Sequence, residues 1–271
     1  MTRPEVIRML KSIGLRPDKA AGQNFLLDEK VVAMMVKTAA VKEGDTVLEI
    51  GPGLGVLTAA LLDCGAKVIA VELDQRLFGY LRQRFAHRRR LTLVHGDIFR
   101  IRLGDYVRDR QYKVVANLPY SGTALFFRNF LAIPPRPSDM TVMIQRDVAR
   151  RIVAQPGEHS LLSLLVQSSC IPTIVADIPP SSFYPSPQVY SSVLLCPHVS
   201  TSLIEEQPQL WRKIRAGFSS RRKQLHNALA AGLDRSHADI LRAMVAAGLN
   251  PAIRAQDLTV KNWLELEKTL R

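Results

Sequence analysis

Thr46-Val47-Leu48-Glu49-Ile50-Gly51-Pro52-Gly53-Leu54-Gly55 joins a short β-branched run directly to a glycine-rich turn, and a helical pattern over Leu57–Cys64 follows. Glycines let the chain turn sharply and leave no Cβ in the way of a ligand. Strand, glycine loop and helix in that order open a βαβ unit. The rhythm continues outward from it. Apolar runs predict strands at Thr46–Ile50, Lys67–Val71, Leu91–His95, Lys113–Asn117 and Met140–Ile144, with helices between them at Leu57–Cys64, Gln75–Phe85, Thr123–Leu131 and Arg146–Ala154. A further helix fits near Ser160–Ser168, and two more strands, near Thr173–Asp177 and Ser191–Cys196, flank the Pro/Ser-rich loop 179–188. The expectation is an α/β fold with a mostly parallel sheet.

Before this region, residues 4–12 suit a short amphipathic helix ended by Gly14. A basic, irregular stretch then closes on Gly22-Gln23-Asn24-Phe25-Leu26-Leu27-Asp28, where Asp28 can cap a helix carrying Val31, Val32, Met35 and Val36. Such a stretch can serve as a lid over a site or only as a lead-in to the helix. Beyond Pro197 strand signals vanish. Gln207–Gly232, His237–Gly248 and Thr259–Leu270 read as helices, so the chain divides into 1–199 and a small all-helical region at 200–271.

With 271 residues, 47% of them hydrophobic, the chain can bury a full core. Lys and Arg total 37 against 24 acids, a formal charge of +13 that attracts polyanions and puts nucleic acid ahead of a membrane surface as a partner. Cys64, Cys170 and Cys196 show no metal-ligand or disulfide spacing. The N-terminus lacks a signal-peptide core and no run reaches membrane-span length, so a cytoplasmic protein is expected.

Four strand ends carry candidate chemistry. The glycine loop follows the first, and Glu72 ends the second, where an acid meets ribose hydroxyls. After the third comes Gly96-Asp97-Ile98, an acid for an adenine amine with an apolar neighbour for the ring. The fourth ends in Asn117-Leu118-Pro119-Tyr120. Pro119 fixes its own φ and keeps Leu118 extended, so two carbonyls sit in a rigid turn beside an aromatic face. That turn suits a planar amine gripped at its edge. Together the four ends point to S-adenosylmethionine rather than a dinucleotide. Farther on, Arg221-Arg222-Lys223, bordered by hydroxyls and amides in the predicted helix Gln207–Gly232, offers a phosphate-backbone contact.

These motifs, with Gly22-Gln23-Asn24-Phe25-Leu26, Phe183-Tyr184-Pro185-Ser186-Pro187 and Phe218-x-x-Arg221-Arg222-Lys223, resemble the KsgA-type ribosomal RNA adenine dimethyltransferases, relatives of the Erm methyltransferases. The resemblance runs from about Gly14 to the C-terminus and implies a seven-stranded class I S-adenosylmethionine-dependent fold with a helical C-terminal domain. It implies that Asn24 and Leu26 contact the cofactor from the lid (about residues 1–30), Gly51 passes its methionine end, Glu72 holds the ribose and Asp97 the adenine. Asn117 would touch cofactor and substrate, and Tyr120 and Phe183 would sandwich the target base. The implied activity is N6 dimethylation of adenine in small-subunit ribosomal RNA, with the immature small subunit as partner and the enzyme a monomer. An assembly factor on the same scaffold and an Erm-like large-subunit enzyme are the alternatives.

Two departures stand at the rim of the expected pocket. Ser121-Gly122-Thr123 follows the tyrosine where the family commonly has Asn then Ile, and Gln188-Val189-Tyr190-Ser191 replaces Lys-Val-Asp-Ser. They bear on RNA contacts and methyl number more than on the chemistry.

Overall fold

The computed structural model describes residues 2–17, 22–107, 111–200, 203–220 and 222–270. Its strands are β1 (Phe25–Leu26), β2 (Thr46–Ile50), β3 (Lys67–Glu72), β4 (Leu91–His95), β5 (Tyr112–Asn117), β6 (Asp139–Gln145), β7 (Thr173–Ile178), β8 (Phe183–Tyr184) and β9 (Ser191–Cys196). Seven of them form one sheet in the order β4-β3-β2-β5-β6-β9-β7. The first five in that order run parallel, and β9 is antiparallel to both β6 and β7. Every predicted strand of this sheet is present, with ends shifted by a residue at most.

The register explains where a ligand enters. β2 pairs with β3 as far as Ile50↔Val71, and β5 pairs with β6 as far as Asn117↔Met143. Between β2 and β5, however, pairing stops at Leu48↔Val114. The two strands part over their last residues, at the point where strand order reverses, and a crevice opens at their carboxyl ends.

Helices close over the sheet because their apolar stripes demand it. Val31, Val32 and Met35 of the helix Glu29–Thr38 and Leu57 and Leu61 of the helix Val56–Asp63 share one core with Val47, Val68, Val115 and Met143 of the sheet. Burying each such side chain is worth roughly 1.5–3 kcal/mol. Asp28 caps its helix by accepting from Lys30 N–H at 3.0 Å, as its position predicts. Asp74 caps the helix Gln75–Arg84 in the same way.

Contacts divide the chain into two compact units, one of residues 1–130, 134–149 and 173–199 and one of residues 131–133, 150–172 and 200–271. The second has its own core, in which Leu164, Leu210, Ile214, Leu229, Met244 and Trp263 meet. One prediction fails there. The expected helix Gln207–Gly232 is two helices, Pro208–Gly217 and Leu225–Leu233. Trp263 and Leu225 press against Gly217 so closely that a Cβ there would lie 2.6 and 2.9 Å from them. Glycine is also a poor helix former, and the hydroxyls and adjacent like charges that follow it do not restore the helix. Arg222 and Lys223 therefore stand exposed in a turn rather than on a helix; Arg221 lies outside the described residues.

Candidate active site

At the parting of β2 and β5 lies a cavity of about 410 Å³. Its wall includes the predicted cofactor residues Asn24, Leu26, Gly51, Glu72, Asp97 and Asn117. Leu118, Pro119 and Tyr120 also line it.

The glycine loop shapes the floor. Gly51, Gly53 and Gly55 all have positive φ. A Cβ on Gly55 would lie 2.6 Å from Phe85, so this glycine serves helix packing, whereas a Cβ on Gly51 would meet nothing within 4 Å and would occupy open space. Gly51 is the one that leaves room for a bound molecule. Glu72, at the end of β3, is held by two main-chain donors: Gly53 N–H on one carboxylate oxygen at 3.1 Å and Asp74 N–H on the other at 2.9 Å. Each oxygen keeps a lone pair for a hydroxyl. Burial raises its pKa, against the lowering effect of those hydrogen bonds. Asp97 accepts Phe99 N–H at 2.9 Å, which fixes its carboxylate at the far end of the cavity wall.

Sequence reasoning assigned no role to Glu49. It is 1% exposed, lines the cavity, and accepts the Thr58 hydroxyl at 2.6 Å. Burial, reinforced by the nearby Glu72 carboxylate, pushes its pKa up to about 8. A glutamate inside an otherwise apolar strand was the available signal. Leu73 and Phe99, both exposed cavity-wall residues, were missed as well; each directly follows a strand-end acid or its neighbour.

The Asn117–Leu118 turn is anchored at both ends. Leu118 N–H donates to Met143 carbonyl at 3.0 Å, extending the β5–β6 ladder by one residue. Asn117 donates its side-chain Nδ2 to the main-chain carbonyl of Asn24 at 3.3 Å. Among the described residues neither Asn117 Oδ1 nor the Leu118 carbonyl accepts a hydrogen bond. Tyr120 Oη is 2.8 Å from Ser191 Oγ, which fixes the phenol ring.

The lead-in segment is pinned beside this turn. β1 pairs antiparallel with β8, Leu26 opposite Phe183, and Leu27 N–H donates to Ser182 carbonyl at 2.8 Å. Residues 18–21 of the lead-in lie outside the described residues. Phe183 is placed differently from the other site candidates. It is 3% exposed, packs with Leu26 and Val193 in the sheet core, and does not line the cavity.

The family model for ribosomal RNA adenine dimethylase matches residues 15–271. This chain belongs to the ribosomal RNA adenine dimethylase family. Among curated relatives, it is 39% identical to ribosomal RNA small subunit methyltransferase A of Dehalococcoides mccartyi, over 95% of this chain and 90% of that one. It is 36% identical to the protein of the same name from Moorella thermoacetica, over 100% and 98%. Its fold also matches that of a dimethyladenosine transferase from Plasmodium falciparum, with a TM-score of 0.77 at 22% identity over 90% of this chain and 98% of that one. It matches the 23S rRNA methyltransferase ErmE with a TM-score of 0.73 at 23% identity over 91% and 99%. Among the described residues no helix is long and apolar enough to cross a membrane.

Proposed function

We propose that this chain transfers methyl groups from S-adenosylmethionine to adenine N6 in small-subunit ribosomal RNA during ribosome biogenesis, adding two per base. The observation that carries the reading is the pair of uncommitted acceptors, Asn117 Oδ1 and the Leu118 carbonyl, on a stiff turn beside the fixed ring of Tyr120.

The cavity fits the cofactor. Gly51 leaves room beside the chain, Glu72 presents an amide-held carboxylate to a ribose, and Asp97 closes the adenine end. Asn24 and Leu26 cover it from the lid. When bound, S-adenosylmethionine supplies an activated methyl on a sulfonium, so the protein has little acid–base work to do.

What the protein must do is hold a weak nucleophile. The N6 lone pair is delocalised into the purine ring. Asn117 Oδ1 and the Leu118 carbonyl take its two hydrogens, draw the nitrogen toward a tetrahedral shape and fix the direction of the lone pair. Alignment of this kind is worth several orders of magnitude in rate. With the cofactor bound, the nitrogen's electron pair would form the new N–C bond as the methyl–sulfur bond breaks and its electrons return to sulfur, leaving a neutral thioether, and one N6 proton would leave to solvent. Tyr120 stacks on the extruded base and offsets part of the few kcal/mol that unstacking costs. A second transfer needs space beside N6. Gly122 lines the cavity, and a Cβ there would meet only Pro119, at 3.9 Å.

In this reading residues 1–199 hold cofactor and base, and 200–271 bind RNA through Arg221, Arg222 and Lys223. The protein acts as a cytoplasmic monomer on the immature small subunit. Mass spectrometry of nucleosides from unmethylated small-subunit RNA, incubated with the protein and labelled cofactor, tests it. Labelled N6,N6-dimethyladenosine is the expected product; unlabelled adenosine at every position overturns the reading.

A further inference from the structure

Where β6 ends and β9 begins, Arg146 and Tyr190 form a cluster that the transfer chemistry leaves unused. Arg146 N–H donates to the Tyr190 carbonyl at 2.9 Å, and the Arg146 guanidinium carbon lies 4.6 Å from the centroid of the Tyr190 ring. The guanidinium makes no hydrogen bond or ion pair among the described residues, and its Nε is buried without a partner. A buried donor left unsatisfied costs about 1–3 kcal/mol, so the arrangement is incomplete as it stands. Tyr190 is 42% exposed although it is a large ring held in place on one face by a cation.

Its position gives the cluster a meaning. The next residue, Ser191, is the partner that fixes Tyr120 through the 2.8 Å hydroxyl contact. Tyr190 and the residue holding the target-base ring are thus one step apart along the chain, about 3.8 Å between Cα atoms. The helix that Arg146 begins also carries Arg150 and Arg151 in its last turn. An exposed ring stacks a nucleobase regardless of its identity, and a cation without a carboxylate partner attracts phosphate. An aspartate at 190, the residue the family resemblance places there, would instead neutralise Arg146 and repel the RNA backbone.

We propose that Arg146 and Tyr190 form a stacking shelf for the nucleotide flanking the target adenine, the base lying on the free face of Tyr190 and its phosphate meeting the guanidinium. The proposal rests on the RNA-methylating reading of the neighbouring cavity. The shelf positions the single strand so that the adjacent adenine enters the clamp already splayed from its neighbour.

Four variants test it: Tyr190→Ala, Tyr190→Phe, Tyr190→Asp and Arg146→Ala, assayed for methyl transfer to undermethylated small ribosomal subunits. Tyr190→Ala is expected to raise KM for the subunit roughly tenfold, the lower range of one lost base stack, with kcat and S-adenosylmethionine affinity unchanged. Tyr190→Phe keeps the wild-type KM, and Tyr190→Asp raises it further than alanine does. Arg146→Ala lowers the slope of log affinity against log salt by about 0.7, one single-strand phosphate contact. Unchanged KM in Tyr190→Ala together with an unchanged slope in Arg146→Ala overturns the shelf. Absence of transfer by the wild-type protein counts against the function reading alone. Equilibrium binding of a fluorescent single-stranded oligoribonucleotide of roughly ten nucleotides then decides the shelf: weaker binding by Tyr190→Ala supports it, and equal binding overturns it.

Discussion

Asn117 donates its side-chain amide to the main-chain carbonyl of Asn24, 93 residues earlier in the chain, at 3.3 Å. The bond does two things at once. It fixes which end of the carboxamide is nitrogen, leaving Oδ1 as the free acceptor, and it ties the lead-in segment to the end of β5. Gly22, whose φ of +71° suits glycine, lies in van der Waals reach of the Tyr120 main chain. The position of the lead-in segment and the orientation of the Asn117 carboxamide are therefore coupled through this one bond.

Replacing Asn117 separates these roles. Asn117→Ala removes the acceptor and the tie, and is expected to lower kcat by about a hundredfold or more while weakening cofactor binding by less than about tenfold, the worth of one hydrogen bond. Asn117→Asp keeps an acceptor but sets oxygen against the Asn24 carbonyl, so it loses the tie and also loses turnover. Single-turnover transfer and calorimetric cofactor titration measure the two effects. Near-normal turnover in either variant would rule out the clamp.

Glu49 makes stability depend on pH. Its folded pKa is raised to about 8 from the ordinary glutamate value of 4.5, so between those values the native state holds a proton that the unfolded chain releases. Stability is complete below the unfolded value, falls as pH rises through the window, and is lowest above about pH 8. The loss is on the order of a few kcal/mol at most. Glu49→Gln keeps an acceptor for Thr58 and has no proton to lose, so its denaturant midpoint should stay flat where the wild type declines. Parallel wild-type and variant profiles would show that Glu49 does not titrate in this window.

Much of this was legible in the chain because strand ends announce themselves. A β-branched run closed within two residues by glycine, acid or proline marked six of the seven strands of the main sheet, while Met140–Ile144 is closed by Gln145 and Arg146. What was not legible depends on side-chain fate after folding. Phe183 lies within a Pro/Ser-rich loop that gives no periodic burial signal, and its burial opposite Leu26 emerges only from the β1–β8 pairing. The break after Gly217 was hidden because the pressure on that glycine comes from Trp263, 46 residues later in the sequence, and no local pattern reports it.

Phe183 and Tyr120, paired by the family resemblance as a base sandwich, should therefore behave differently. Phe183→Ala is expected to destabilise the protein by about 3–5 kcal/mol, read as a lowered denaturant midpoint. Phe183→Leu fills most of the volume and should retain turnover. Tyr120→Leu, in contrast, leaves the midpoint nearly unchanged and raises KM for RNA, since the stack is lost and only the Ser191 contact is given up in the folded state. A Phe183→Leu protein that is stable and inactive would return Phe183 to the base site.

Arg222 and Lys223 test whether the helical region binds RNA. Both are exposed in the turn between Pro208–Gly217 and Leu225–Leu233, so neither contributes a buried contact to its own unit. A turn presents adjacent cations to one stretch of backbone more readily than a helix, which would point successive side chains about 100° apart. Replacing both with alanine should leave thermal stability unchanged within about 0.5 kcal/mol. RNA affinity should fall at low salt, and the slope of log affinity against log salt should become shallower by about 1.4, two phosphate contacts on a single strand. Affinity measured by fluorescence anisotropy across a salt series gives that slope directly. An unchanged slope would mean that these cations face only water and that the RNA runs elsewhere, whereas a shallower one with unchanged cofactor affinity assigns the backbone contact to this turn.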